Sequence, residues 1–172
     1  MPVPPDSRAL RDIVATFAIP GDFVDATPYG SGHINDTFRA VFNQGGTPVR
    51  YLVQRLNPRI FKNPAGLMDN VARICAHARL RLCAEGVADA SRRALTLIPC
   101  RDGAGFLTDG EGGVWRCYVF VEGASGHDSV ENPGQAFQAA RGLRRLSTPA
   151  RGPARRSPGR NHPGFPQHPP AF

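Results

Sequence analysis

Residues 30–40, Gly-Ser-Gly-His-Ile-Asn-Asp-Thr-Phe-Arg-Ala, constrain this chain more than any other stretch. An extended segment, Phe23 to Tyr29, leads into them, and an alternating segment, Thr37 to Phe42, leads out. The expected order is strand, glycine loop, strand. Glycine has no Cβ, so its backbone reaches left-handed conformations and lets a ligand approach peptide N–H groups. The spacing departs from a Walker loop, which needs Gly-Lys-Ser/Thr and then a helix. Two readings fit: a plain hairpin turn, or a loop that covers phosphates from between two strands.

With 172 residues, the chain suits one ordinary domain, or one domain and a tail. No stretch reaches the ~18 apolar residues of a membrane span. The N-terminal Met-Pro-Val-Pro-Pro-Asp-Ser-Arg has no apolar signal core, so export is not expected. Cys75, Cys83, Cys100 and Cys117 are scattered and form no Cys-x-x-Cys. Reduced thiols in a cytoplasmic protein are therefore expected, not disulfides or a zinc site.

The net charge of +7 is unevenly spread. Residues 1–140 hold 14 basic and 14 acidic side chains; residues 141–172 hold seven Arg and no acid. Seven of the 17 prolines fall in that same segment, which shows no apolar period. It is read as a disordered Arg/Pro tail. Such a tail could contact nucleic acid. No aromatics interleave with its arginines, so nucleic acid is not an expected partner.

Asp6 or Ser7 can cap a first helix, with Leu10, Ile13, Val14 and Phe17 as its apolar stripe. Strands are expected near 23–29, 37–42 and 49–56, with Asn43–Gly46 as a turn. Asn63 as cap and Pro64 at the first helical position start a second helix, ending near Ala84-Glu85-Gly86. Its apolar face reads Leu67, Val71, Ile74 and Ala78. A fourth strand is expected at 94–99, then a hairpin around Asp109–Gly113, a last strand at 114–121, and a third helix from Pro133 into Arg141. The fold class is α+β. Short connections favour antiparallel pairing, giving a sheet of about five strands with one packed helix, the layout of a protein-kinase N-terminal lobe.

Five blocks in order strengthen that comparison: Gly30-Ser-Gly-His-Ile-Asn-Asp-Thr-Phe, Tyr51-Leu-Val-Gln-Arg-Leu-Asn, Phe61-Lys-Asn-Pro, Leu67-Met-Asp-Asn-Val and Trp115-Arg-Cys-Tyr-Val-Phe-Val-Glu-Gly. Together they resemble the N-acetylhexosamine kinase-like branch of the aminoglycoside/choline phosphotransferase superfamily, over about residues 8–140. The resemblance implies ATP-dependent phosphorylation of a small hydroxyl substrate, an N-acetylhexosamine or related sugar, with Mg2+ as cofactor. It implies that residues 1–123 form a nucleotide-binding small lobe and that residues 124–140 hold the hinge and the start of a second-lobe helix.

By the same resemblance, Gly30, Ser31, Gly32, His33 and Asn35 cover the phosphates. Arg55 supplies the cation that strand three brings to them, because its fork binds phosphate oxygens bidentately. Asp69 is its candidate ion-pair partner, although Asp69 lies about 200° round the helix from Leu67. Backbone groups at Val119 and Val121 would hold adenine. No membrane partner is expected.

The aspartate that orients the attacking hydroxyl and the magnesium ligands lie on a second lobe in that superfamily. No catalytic residue or metal ligand is assigned in this chain; Asp128 stands too near the hinge. Asn161–Phe172 can back-translate, one base out of frame, to Glu-Thr-Ile-Pro-Gly-Phe-His-Asn-Thr-Pro-Arg-Arg-Phe, similar to what the family carries there. Gly142–Thr148 shifts in the same frame to Ala-Phe-Gly-x-Phe-Gln. A frameshifted tail on a truncated lobe, inactive alone, is the expectation. The alternative is a non-catalytic module that binds nucleotide or a partner.

Overall fold

The computed structural model describes residues 5–30, 34–124 and 129–147, and the chain divides into two units, residues 1–130 and 131–172. The first unit opens with α1 (Ser7–Ala15), which Asp6 caps by accepting a hydrogen bond from Ala9 N at 2.7 Å. Leu10 and Val14, one turn apart, are buried together with Phe17.

Three strands follow: β1 (Asp22–Pro28), β2 (Asp36–Gln44) and β3 (Thr47–Arg55). Gly45 and Gly46 join β2 to β3 with φ of 61° and 87°. Left-handed values at both positions are what a tight two-residue hairpin requires, and Gly-Gly meets that without strain. The hairpin lets pairing run to Gln44↔Thr47, so both strands exceed their expected lengths.

Next come α2 (Pro64–Ala84), a short α3 (Ala90–Arg93), β4 (Leu97–Ile98), β5 (Leu107–Thr108) and β6 (Val114–Val119). Asn63 Oδ1 accepts from Gly66 N at 2.9 Å, and Pro64 occupies the first turn of α2, where its missing N–H costs nothing. Among the described residues the sheet has six strands in the order β1-β2-β3-β6-β4, with β5 also on β6, and every pairing is antiparallel. The fold is α+β, as expected. The fourth strand shrinks to two residues.

Side chains alternate across a strand, so the sheet has two unlike faces. One carries Phe38, Ala40, Phe42, Tyr51, Val53, Trp115 and Cys117, and packs with Leu10, Val14, Phe17, Ile19 and Cys100 into the core. The other carries Thr37, Arg39, Arg50, Leu52, Gln54, Arg116 and Tyr118. Cys75 of α2 lies close enough to Arg116 and Tyr118 for their charges to act on it, so α2 lies over this second face near β6. Burial there pushes the Tyr118 phenol up to about 12.

The expected apolar stripe of α2 needs correction. Ile74 is 58% exposed, whereas Met68 is buried and Val71, Cys75, Ala78 and Leu82 are half-buried. Leu67, Val71 and Ala78 of the expected stripe stay half-buried, and only Ile74 is replaced, by Cys75, with Met68 added; sulfur-bearing side chains fill irregular gaps well.

The second unit contains α4 (Pro133–Ser147). It continues past Arg141, so the first seven residues of the expected disordered tail are helical. Arg and Leu are good helix formers, and the next proline comes only at Pro149. Residues 148–172, the rest of that tail, lie outside the described residues.

Candidate functional site

Register brings the start of β2, next to the glycine loop, and Arg55 to one end of the sheet, whereas Val119 pairs with Tyr51 four residues back along β3. Tyr29 N donates to Thr37 O at 2.9 Å, closing β1 onto β2 around the glycine loop. Gly30 has φ of 80°, and a Cβ there would meet nothing within 4 Å. The backbone conformation therefore demands glycine, and the space beside it is open. Ser31, Gly32 and His33 lie outside the described residues. Asn35 is engaged in structure: its Oδ1 accepts from Asn57 N at 3.1 Å, tying the loop to the β3–α2 connection.

Arg55 requires the main correction. It shares the α1 side of the sheet with Val53 and Tyr51, two and four residues back. Its guanidinium pairs with Asp36 at 2.7 Å, lies 5.5 Å from the centre of the Trp115 ring, and its side chain is 11% exposed. Asp36 is its Cα partner across β2–β3. Asp69, the expected partner, stands exposed on α2. One residue decides this, because a single step along a strand changes face.

Gln54 is the residue that faces the other way. Its Nε2 donates to Thr37 Oγ1 at 3.0 Å, and its Oε1 accepts from Arg116 Nε and Nη2 at 3.1 and 3.0 Å. The three residues are successive Cα partners across β2, β3 and β6. They form a polar line at the glycine-loop end of the second face. Arg116 has no ion pair among the described residues.

Two recesses open on the sheet, the first at this end and the second towards the β2–β3 hairpin. The first holds about 160 Å³ beside Arg55 and Asp36, and Asp109 and Glu111 also line it. One guanidinium there meets three carboxylates. Burial pushes Asp109 up, but hydrogen bonds from Trp115 and from the Gly113 and Glu111 N–H groups, with Arg55 nearby, hold it below the usual carboxylate range. Asp109 thus stays ionised, and an anion gains nothing by entering.

The second recess, about 520 Å³, is lined by Arg39, Val41, Arg50, Val119, Phe120 and Glu122, among others. Its charge is reversed: two guanidiniums meet one carboxylate. Arg50 pairs with Glu122 and lies 5.1 Å from the Phe120 ring centre, and Tyr29 packs edge-on against that ring at 5.3 Å. Arg39 Nη2 reaches Thr27 Oγ1 only at 3.4 Å, and its buried Nε meets no hydrogen-bond partner among the described residues. A half-buried guanidinium with one buried nitrogen short of an acceptor favours a nearby anion.

The adenine contacts expected at Val119 also change. Val119 N donates to Thr96 O at 2.9 Å and Phe120 N to Arg50 O at 3.1 Å, so both donors are used inside the sheet. Val121 follows them out of the last strand. Among the described residues no three His, Cys, Asp or Glu side chains stand close enough to hold a metal ion. No described helix is long and apolar enough to cross a membrane.

Sequence reasoning missed Gln54, Arg116 and Arg39. The available signal was strand alternation: Val53 and Tyr51 had to face the core, which sends Gln54 and Arg116 to the opposite side. No family model matches the chain.

Proposed function

We propose that the first unit is the nucleotide-binding lobe of an ATP-dependent phosphotransferase acting on an N-acetylhexosamine or related sugar, in which Arg116 and not Arg55 meets the phosphates. The observation that carries this reading is the Thr37–Gln54–Arg116 line beside the glycine loop. Gln54 fixes the Arg116 fork without neutralising it, so its charge stays available to an anion. Arg39 and Arg50 add positive potential on the same face. Phe120 and Val41 offer an apolar wall for a base.

The residues fit the nucleotide better than the metal. Magnesium, when bound, would offset phosphate charge; the described residues do not form a magnesium site by themselves. Gly30, through its backbone, and Arg116 would bind and orient phosphate. Turnover needs an aspartate that positions the sugar hydroxyl, for which this chain has no assigned candidate. That absence favours a second reading, a module that binds nucleotide without catalysis.

Calorimetric titration with MgATP tests the proposal. Weak, salt-sensitive binding is expected, lost in Arg116→Ala and kept in Arg55→Met. Loss in Arg55→Met with retention in Arg116→Ala, or no binding by the unaltered chain, overturns it. Sugar-dependent ADP release with N-acetylglucosamine or N-acetylgalactosamine separates the two readings, since the module predicts none even from a frame-corrected chain.

A further inference from the structure

We propose that the second recess, at Arg39 and Arg50, is a binding site for a small organic carboxylate with a flat apolar body. Strand alternation puts Arg39 and Val41 of β2 and Arg50 of β3 on the second face. Phe120, whose N–H donates to Arg50 O, extends that face beyond β6. Tyr29 follows the edge strand β1, and β2 and β3 lie between β1 and β6. The edge-on contact of the Tyr29 and Phe120 rings, 5.3 Å between centres, therefore reaches across the two strands that carry the arginines. Guanidiniums, aromatic rings and the apolar side chains of Val41 and Val119 thus meet in one recess of about 520 Å³.

Charge selects the ligand. Of the two arginines, only Arg50 has a carboxylate, that of Glu122. Arg39 is half-buried and has no ion pair among the described residues; its Nη2 reaches Thr27 Oγ1 at 3.4 Å and its buried Nε has no acceptor. Asp25, opposite Val41 on β1, is exposed and does not line the recess. One positive charge therefore stands unmatched beside apolar walls, and a donor left unsatisfied costs the fold stability that a bound acceptor returns. A carboxylate carries one charge and accepts from a guanidinium fork through both oxygens. A phosphate dianion would need Arg50 as well, which Glu122 already holds. A bare inorganic anion would leave the walls in water, whereas a flat ring packs against Phe120. The site uses neither the glycine loop nor Arg116, so it stands apart from the nucleotide reading and shares only the Phe120 wall with it.

The test is calorimetric titration of the full chain with naphthoate and with its neutral amide, naphthamide, at low salt. The acid should bind at least about tenfold more tightly than the amide, since only the acid brings charge to a guanidinium. Arg39→Met should lower naphthoate affinity about tenfold, and Glu122→Gln, which frees Arg50, should raise it at least about threefold. Arg116→Ala, expected to lose MgATP, should keep naphthoate affinity within about twofold. Arg39→Met should fold, because it removes a donor that the fold leaves unsatisfied. Emission from Trp115, the one tryptophan and a buried one, checks each variant. Equal binding of acid and amide by the unaltered chain, or no binding of the acid, would overturn the proposal without any variant. So would naphthoate affinity that survives Arg39→Met or ignores Glu122→Gln. Loss of naphthoate in Arg116→Ala would also overturn it, by moving the anion to the glycine-loop end.

Discussion

Gln54 Oε1 accepts two hydrogen bonds from Arg116, at 3.1 Å from Nε and 3.0 Å from Nη2. A single amide oxygen thus holds a guanidinium in place while leaving its charge intact. Gln54→Leu takes the partner from Thr37 and Arg116 together and should cost about 1–2 kcal/mol in urea unfolding. Gln54→Glu replaces the amide by a carboxylate, which keeps the grip on Arg116. That variant should unfold near the wild-type midpoint yet bind MgATP about tenfold more weakly, because the carboxylate cancels charge at the site. If stability and binding move together in both variants, Gln54 is a structural residue only.

The Arg55–Asp36 pair should behave in the opposite way. Its side chains are 11% and 29% exposed, so part of the desolvation cost has already been met by the fold. A double-mutant cycle with Arg55→Met and Asp36→Asn should give a coupling of about 1–3 kcal/mol by chemical denaturation. Nucleotide affinity should stay within about twofold in Arg55→Met. A coupling near zero would mean that the pair is an ordinary surface contact.

These two arginines show where the sequence was legible. Helix starts were plain, because Asp6 and Asn63-Pro64 satisfy or avoid the orphan N–H groups that any helix start leaves. The hairpins announced themselves through Gly45-Gly46 and Asp109–Gly113. The basic residue near the end of strand three was found, but its face was not. A strand reports facing only through alternation, and alternation from Tyr51 and Val53 puts Arg55 on the core side and Gln54 on the other. On α2 the stripe held at Leu67, Val71 and Ala78 and missed at one place: hydrophobicity is spread around the helix, so Ile74 looked like core and Cys75 did not. The polar line to Arg116 spans residues 37, 54 and 116, and no local pattern joins positions so far apart.

Asp109 supports a pH prediction. Its Oδ2 accepts from Trp115 Nε1 at 2.6 Å, and its Oδ1 from Gly113 N and Glu111 N at 2.7 and 3.0 Å. Burial opposes ionisation, and these bonds overcome it, so the folded pKa lies below the unfolded value of about 4. The stabilisation is therefore present above the unfolded value and is lost as pH falls through the folded one. In Trp115→Phe one of the donors disappears. Acid unfolding followed by far-ultraviolet circular dichroism should then begin at higher pH, and stability should change less steeply with pH below about 4. An unchanged acid profile would remove Asp109 from the account of stability.

The four thiols offer a last measurement, one that probes both sides of the sheet at once. Cys83 is exposed on α2, Cys75 is half-buried where α2 meets the second face, and Cys100 and Cys117 are buried in the core. Burial raises the Cys117 thiol far above its ordinary value, with a smaller push from Cys100; burial also raises Cys75, partly offset by Arg116. The thiolate is the reactive form, so access and pKa act in the same direction. At neutral pH, Ellman's reagent should modify Cys83 fast and Cys75 slowly. Cys100 and Cys117 should react only when denaturant opens the core. The test also reads the seating of α2: if Cys75 reacts as fast as Cys83, the helix does not stay against Arg116 and Tyr118 in solution. Mass spectrometry of the labelled peptides assigns each phase, and early labelling of Cys117 would contradict the core described for the first unit.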